Sequence, residues 1–149
     1  MEMCKLGVED VRHYKPTLIE MLRQSFEKSF PEGKFEPSSF QARVESLIGY
    51  VEQSKAVVFG SVVDNRLVGF IWFFEKGTLE RSVHINHFVV HENYRGLGIG
   101  RQLLKEVEKY AKDRCIHEIE LLVTKQNDGA VTFYEKNNFE VERLVMKKR

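Results

Sequence analysis

The chain has little cysteine, almost no net charge and no long apolar run, and each shortage removes a class of function. Its two cysteines, Cys4 and Cys115, stand far apart in 149 residues. They are too few for a disulfide framework and too dispersed for a metal site, so no metal is expected, and the default is a cytoplasmic protein with reduced thiols. A formal net charge of +1 provides no broad basic field for nucleic acid or an anionic membrane. No segment approaches the roughly 18 apolar residues of a membrane helix. The opening Met1–Leu6 lacks the apolar stretch of a signal peptide. Repeats, linkers and low-complexity segments are also missing, and the length suits one domain, 1–149, with a substantial core.

What is present is alternating secondary structure. Cys4 to Leu6 reads as a short strand. Val8 to about Phe30 has helical spacing through Val11, Leu18, Met21, Leu22 and Phe26, with Pro16 marking an early turn or kink. Pro31 to Pro37 is a loop, after which Ser38 or Ser39 caps a helix with Phe40, Val44, Leu47, Ile48 and Val51 inward. Lys55–Val63 and Arg66–Glu75 are β-branched and aromatic runs joined by Asp64-Asn65, a hairpin pattern. Then follow a strand over Val83–Val90, an amphipathic helix from Gly98 to about Arg114, a strand over Ile116–Thr124, a helix over Asp128–Asn137 and a last strand over Phe139–Met146. This order predicts an α/β fold, a mixed sheet with helices on both faces.

The most informative stretch joins the Val83–Val90 strand to its helix: Arg95-Gly96-Leu97-Gly98-Ile99-Gly100-Arg101. Alternate glycines let a backbone approach a ligand closely, and amides at a helix start favour an anion. The spacing G-x-G-x-G does not match the dinucleotide fingerprint, whose acidic residue is also missing at the right distance, because Glu118 and Glu120 fall in the next strand. The Gly-Lys-Ser/Thr ending of a phosphate-binding P-loop is missing too, which disfavours a nucleotide-dependent enzyme.

The R-x-x-G-x-G pattern after an apolar strand resembles the acetyl-CoA pyrophosphate loop of the GNAT superfamily of N-acetyltransferases. A second segment, Asn127-Asp128-Gly129-Ala130-Val131-Thr132-Phe133-Tyr134, ending Asn138-Phe139, is similar to that family's closing motif. Asn138 replaces the usual glycine, and asparagine tolerates the left-handed helix end nearly as well. The order of elements agrees as well, so the resemblance covers essentially the whole chain.

The resemblance implies a GNAT-type mixed, splayed central sheet and direct acetyl transfer from acetyl-CoA to a primary amine of a small molecule or peptide, with no cysteine nucleophile. The main chain of Phe88, Val89 and Val90 would pair with the pantetheine arm like an added strand. Amides from Gly96 through Leu97, Gly98, Ile99 and Gly100 to Arg101 would hold the pyrophosphate, with Arg95, Arg101 and Lys105 nearby. Asn127 corresponds to the position that hydrogen-bonds near the pantetheine, and it suits a helix N-cap equally. Tyr134 corresponds to the tyrosine that donates a proton to the departing thiolate, although a tyrosine beside Phe133 also suits simple packing.

For the general base, His84, His87, Glu80 and Glu75 lie on or near the bordering strands, and a water chain serves equally. His84 is the first choice, since histidine titrates near the working pH and the family often places its base on this strand. Strict alternation puts His84 and His87 on opposite faces, unless a bulge intervenes. The acceptor pocket would come largely from about Ser25 to Phe40, where Phe26, Phe30, Phe35 and Phe40 stand among acidic and basic residues. Aromatic walls with acids would suit a cationic amine; core phenylalanines under a solvated loop are the plain alternative. Homodimers are common in the family. The competing function is a CoA-binding sensor or scaffold that transfers nothing.

Overall fold

A computed structural model describes residues 1–149. The elements are β1 (Glu2–Lys5), α1 (Val8–His13), α2 (Lys15–Ser29), α3 (Pro37–Glu52), β2 (Val57–Val63), β3 (Arg66–Lys76), β4 (Ser82–Val90), a 3₁₀ turn (Glu92–Tyr94), α4 (Ile99–Asp113), β5 (Ile119–Leu121) and α5 (Asp128–Lys136). One sheet runs in the order β1-β2-β3-β4-β5, antiparallel except for the parallel pair β4–β5.

Every residue of β3 from Leu67 to Phe73 is buried, so this strand supplies both faces of the sheet. Phe70 and Trp72 pack with Val58 and Val89 against Val11, Leu18, Leu22, Phe40, Val44 and Leu47 of α1–α3. Ile71 and Phe73 pack with Val83 and Ile85 against Ile99, Leu103, Leu104 and Val107 of α4. Burying each such side chain contributes about 1.5–3 kcal/mol, which fixes both helical layers to the strand ends where the chemistry would lie. In the hairpin, Asp64 and Asn65 both take positive φ (48° and 62°), the backbone a two-residue primed turn requires.

Several expectations are corrected. The predicted Val8–Phe30 helix is two helices meeting at Tyr14, which ends α1 and caps α2. Pro16 sits in the first turn of α2, where a missing N–H costs nothing. Pro37, not a residue after Ser38 or Ser39, opens α3; Glu36 takes the cap position and the Ser39 hydroxyl donates to its carbonyl at 2.7 Å. β5 is shorter than Ile116–Thr124 because Ile116 ends α4 instead. Its N–H bonds the Ala111 carbonyl at 2.8 Å and Cys115 takes φ 56°, the two halves of a Schellman end.

The last strand, Phe139–Met146, is not formed. Residues 137–149 carry no helix or strand, and Val141, Leu144, Val145 and Met146 are exposed. An alternating pattern becomes a strand only when a neighbour accepts its backbone bonds, and here β5 offers a ladder of just three residues.

The short ladder also leaves part of β4 without a second neighbour. β4 pairs with β5 only from Val83↔Ile119 to Ile85↔Leu121. Beyond Ile85, Asn86–Val90 continues along β3 with no strand on its other side.

Candidate active site

The register of β3 on β4 shifts at one point. Trp72 faces His87 and Phe73 faces Ile85, so Asn86 is an extra residue, a β-bulge. The bulge resets the alternation. His84 lies opposite Phe74 and His87 opposite Trp72. Because Phe74 and Trp72 share a face, both histidines project to the α1–α3 side, contrary to strict alternation.

His84 stands at the apex of the open cleft, in the last stretch where β4 and β5 still pair. Its Nδ1 lies 2.6 Å from Glu120 Oε2, and its side chain keeps 16% exposure. The hydrogen bond from His84 holds the Glu120 carboxyl below its usual range, with Lys76 adding attraction at 3.5 Å. Ser82 Oγ donates to the same carboxylate at 3.3 Å. An ionised carboxylate only accepts, so Nδ1 carries the proton in this contact and leaves Nε2 as the nitrogen that can accept. Of the other base candidates, Glu75 faces Arg81 at 3.8 Å and Arg114 at 3.6 Å, while Glu80 is exposed in the β3–β4 turn.

His87 has a different environment. It packs against Trp72 (4.9 Å between ring centroids) and Phe26 (5.9 Å), and Arg43 Nη1 approaches its Nε2 at 3.4 Å. Burial, then the Arg43 charge, pushes its pKa down to about 4. It is neutral at working pH and a weak base.

At the other end of the cleft the chain turns from β4 into α4. His91 Nδ1 accepts from the Asn93 N–H at 3.1 Å, and Arg95 Nε donates to the Val90 carbonyl at 3.1 Å. Gly96 (φ 79°) and Gly98 (φ 83°) both adopt left-handed backbone, with open space where a Cβ would stand. Gly98 is the N-cap of α4 and offers no side-chain cap. The first helical bond runs from the Gln102 N–H to the Gly98 carbonyl at 3.1 Å, so the amides of Ile99, Gly100 and Arg101 precede it without intrahelical partners. The Arg101 guanidinium pairs with Glu108 along the helix. The groups this turn leaves unpaired are therefore main-chain N–H, and two of the basic side chains expected to assist, Arg95 and Arg101, are already engaged.

The second motif folds onto the first. Asn127 Oδ1 caps α5 by accepting from the Ala130 N–H at 3.3 Å, and its Nδ2 donates to Ser29 Oγ at 3.3 Å, tying α5 to the end of α2. Asn138 takes the left-handed end (φ 69°), and the Phe139 N–H bonds the Tyr134 carbonyl at 3.0 Å. Phe133 meets Phe88 edge-on at 5.7 Å and lies over Gly100. Tyr134 is enclosed by Phe88, Phe133 and Phe139 at 6.3, 5.6 and 5.4 Å. Burial pushes its phenol up to about 12.

Phe26, Phe30, Phe35 and Phe40 form one aromatic cluster, with Phe26 at 5.4 Å from Phe35 and 5.5 Å from Phe40. Through His87 this cluster reaches β4 beside the bulge. Cys4 is on β1 and Cys115 at the far end of α4, away from the cleft. No group of His, Cys, Asp or Glu side chains is arranged to hold a metal, and no helix is long and apolar enough to cross a membrane. Glu120 and Arg43 escaped the sequence reading. Glu120 is visible only once β5 is in parallel register with β4, whereas the placing of Arg43 beside Phe40 and Val44 on α3 was an available signal.

A profile of the acetyltransferase (GNAT) family matches residues 16–139. The spermidine N(1)-acetyltransferase of Thermoplasma acidophilum is 29% identical over 152 aligned residues, covering 95% of this chain and 89% of that protein. An N-alpha-acetyltransferase of Sulfurisphaera tokodaii is 31% identical over 108 residues, 66% of this chain and 65% of that one. Among solved structures, the PaiA N-acetyltransferase of Thermoplasma acidophilum in complex with coenzyme A is similar with a TM-score of 0.77 at 28% identity, covering 95% of this chain and 92% of that chain.

Proposed function

Because the chain belongs to the acetyltransferase (GNAT) family, we propose that it moves an acetyl group from acetyl-CoA directly to a primary amine of a small molecule or peptide. The observation that carries this reading is the free edge of β4 from Asn86 to Val90, bounded by the His84–Glu120 pair at one end and the Gly96–Gly100 turn at the other. The main-chain groups of Phe88 and the Val90 N–H, on the edge without a strand, suit an extended amide-bearing arm such as pantetheine; Val89, opposite Phe70, turns its own groups to β3, and the Val90 carbonyl already accepts from Arg95. The amides from Gly96 to Arg101 suit its pyrophosphate.

His84 Nε2 takes a proton from the ammonium of the acceptor, and Glu120 holds the ring and stabilises the imidazolium that forms. The freed nitrogen attacks the thioester carbon. As the C–S bond breaks, Tyr134 presents its hydroxyl to the sulfur. Its high pKa keeps it protonated as a hydrogen-bond donor to the departing thiolate; the nitrogen releases its second proton as the amide forms, that proton converts the thiolate to the thiol, and the proton on His84 returns to solvent. Asn127 caps α5 and bonds Ser29, and its second amide hydrogen is the one this reading assigns to the arm. The spermidine and N-alpha acetyltransferase names of two relatives support an amine acceptor.

A sensor without turnover is disfavoured by the His84–Glu120 pair, which binding alone does not need. Titration calorimetry with acetyl-CoA, followed by an amine panel assayed for CoA release, tests the reading. No acetyl-CoA binding overturns it, and binding without turnover of any amine favours the sensor.

A further inference from the structure

The charges around the acceptor end of the cleft are sorted in a way that bears on the acceptor itself. On the helices flanking the aromatic cluster, Glu20 and Glu27 both engage Arg23, and Glu45 engages Lys15. Arg43 has no carboxylate within ion-pair distance. Its guanidinium carbon lies 4.9 Å over the Phe26 ring, and Nη1 contacts neutral His87 at 3.4 Å. Of five N–H donors one is used. The stacking and the His87 contact hold the guanidinium in place, so part of the ordering that binding would demand is already done.

Position gives this charge its meaning. His87 follows the bulge at Asn86, directly before the β4 main chain that would receive the thioester end of the arm, and it shares the α1–α3 face with His84. Arg43 is exposed beside the Phe26–Phe35–Phe40 cluster, on the same face of the sheet as His84.

We propose that Arg43 is a specificity residue that selects acceptor amines carrying an anionic group, a carboxylate or a phosphate, over uncharged or polycationic amines. The inference rests on the transferase reading above and departs from the spermidine activity in one relative's name. A fixed fork of N–H donors matches a carboxylate or phosphate two-pronged and repels a second cation. His84 then receives the ammonium while Arg43 holds the anion, a two-point grip that orients the nitrogen.

The test is CoA release from acetyl-CoA with matched acceptors: butylamine, 4-aminobutyrate, alanine, O-phosphoethanolamine and spermidine. A charge-assisted pair of this kind corresponds to about a tenfold to hundredfold advantage in kcat/KM for the best anionic amine over butylamine. The carboxylate and phosphate members separate the two anion sources. In Arg43→Gln that ratio collapses toward one through a higher KM for the anionic amines, and Arg43→Lys restores part of it. Butylamine turnover in each variant reports an intact fold. A preference for spermidine or butylamine in the unaltered protein overturns the proposal, as does a loss in Arg43→Gln equal for all acceptors; either leaves the transferase reading standing. Acetyl-CoA binding without turnover of any amine defeats both.

Discussion

His84 and Glu120 occupy one rung of the short parallel ladder between β4 and β5, and their side chains meet at 2.6 Å. This pair sits where the strands begin to part, so the group that would collect the acceptor's proton is anchored by the same three rungs that define the cleft apex. His84→Ala should lower kcat by about 10²–10⁴, the usual worth of a general base, and added imidazole should restore part of the loss. Glu120→Gln keeps the shape and weakens the charge-assisted bond, so about a tenfold fall in kcat with little change in KM is expected. If Glu120→Gln alters only thermal stability, the carboxylate is structural.

Tyr134 gives a prediction with a built-in control. Tyr134→Phe removes one oxygen and keeps the ring, so packing by Phe88, Phe133 and Phe139 survives. Turnover should fall by about a hundredfold, as for a lost hydrogen-bond donor to developing charge, while acetyl-CoA affinity by calorimetry stays nearly constant. With the phenol at about 12, the pH–rate profile should show no alkaline limb from this group below that value. Equal turnover in Tyr134→Phe removes it from the chemistry.

Much of this site is legible in the sequence because its parts are local. The glycine turn, the Asn127 cap and the left-handed Asn138 are each set by a few adjacent residues, and each stands where its pattern indicates. What escapes is long-range. The resemblance allows for a bulge in β4, but its place at Asn86 is set only when β4 registers on β3, and it decides which face the histidines share. Glu120 meets His84 only through a crossover that contains α4. The Phe139–Met146 pattern reads as a strand, yet pairing depends on a partner edge that β5 scarcely supplies.

Half-buried, neutral His87 should make stability pH-dependent in a definite direction. Its folded pKa, about 4, is below the ordinary 6.5, so the unfolded chain takes up the proton first. Stability is fully present above about pH 6.5 and is lost as pH falls toward 4, by up to about 3 kcal/mol for this group. Arg43 is the charged neighbour in contact, and Phe26 and Trp72 supply the apolar walls. His87→Phe, unfolded in urea at pH 7 and 4.5, should lose less stability between the two than the parent. Parallel losses would mean the imidazole is solvated.

The left-handed turn at Gly98 separates a structural cost from a binding one. A Cβ at this position meets nothing in the protein within 4 Å, yet φ is 83°. Gly98→Ala should therefore cost only the backbone penalty, about 1–2 kcal/mol of folding stability. The added methyl stands in open space, and a side chain at positive φ strains the turn that aims the amides of Ile99 to Arg101. Acetyl-CoA affinity should fall by tenfold or more, beyond what a uniform loss of stability produces in a protein that remains folded. Calorimetry on Gly98→Ala at a temperature well below its unfolding midpoint makes the distinction. Unchanged affinity there would show that the glycine turn serves the fold and holds no phosphate.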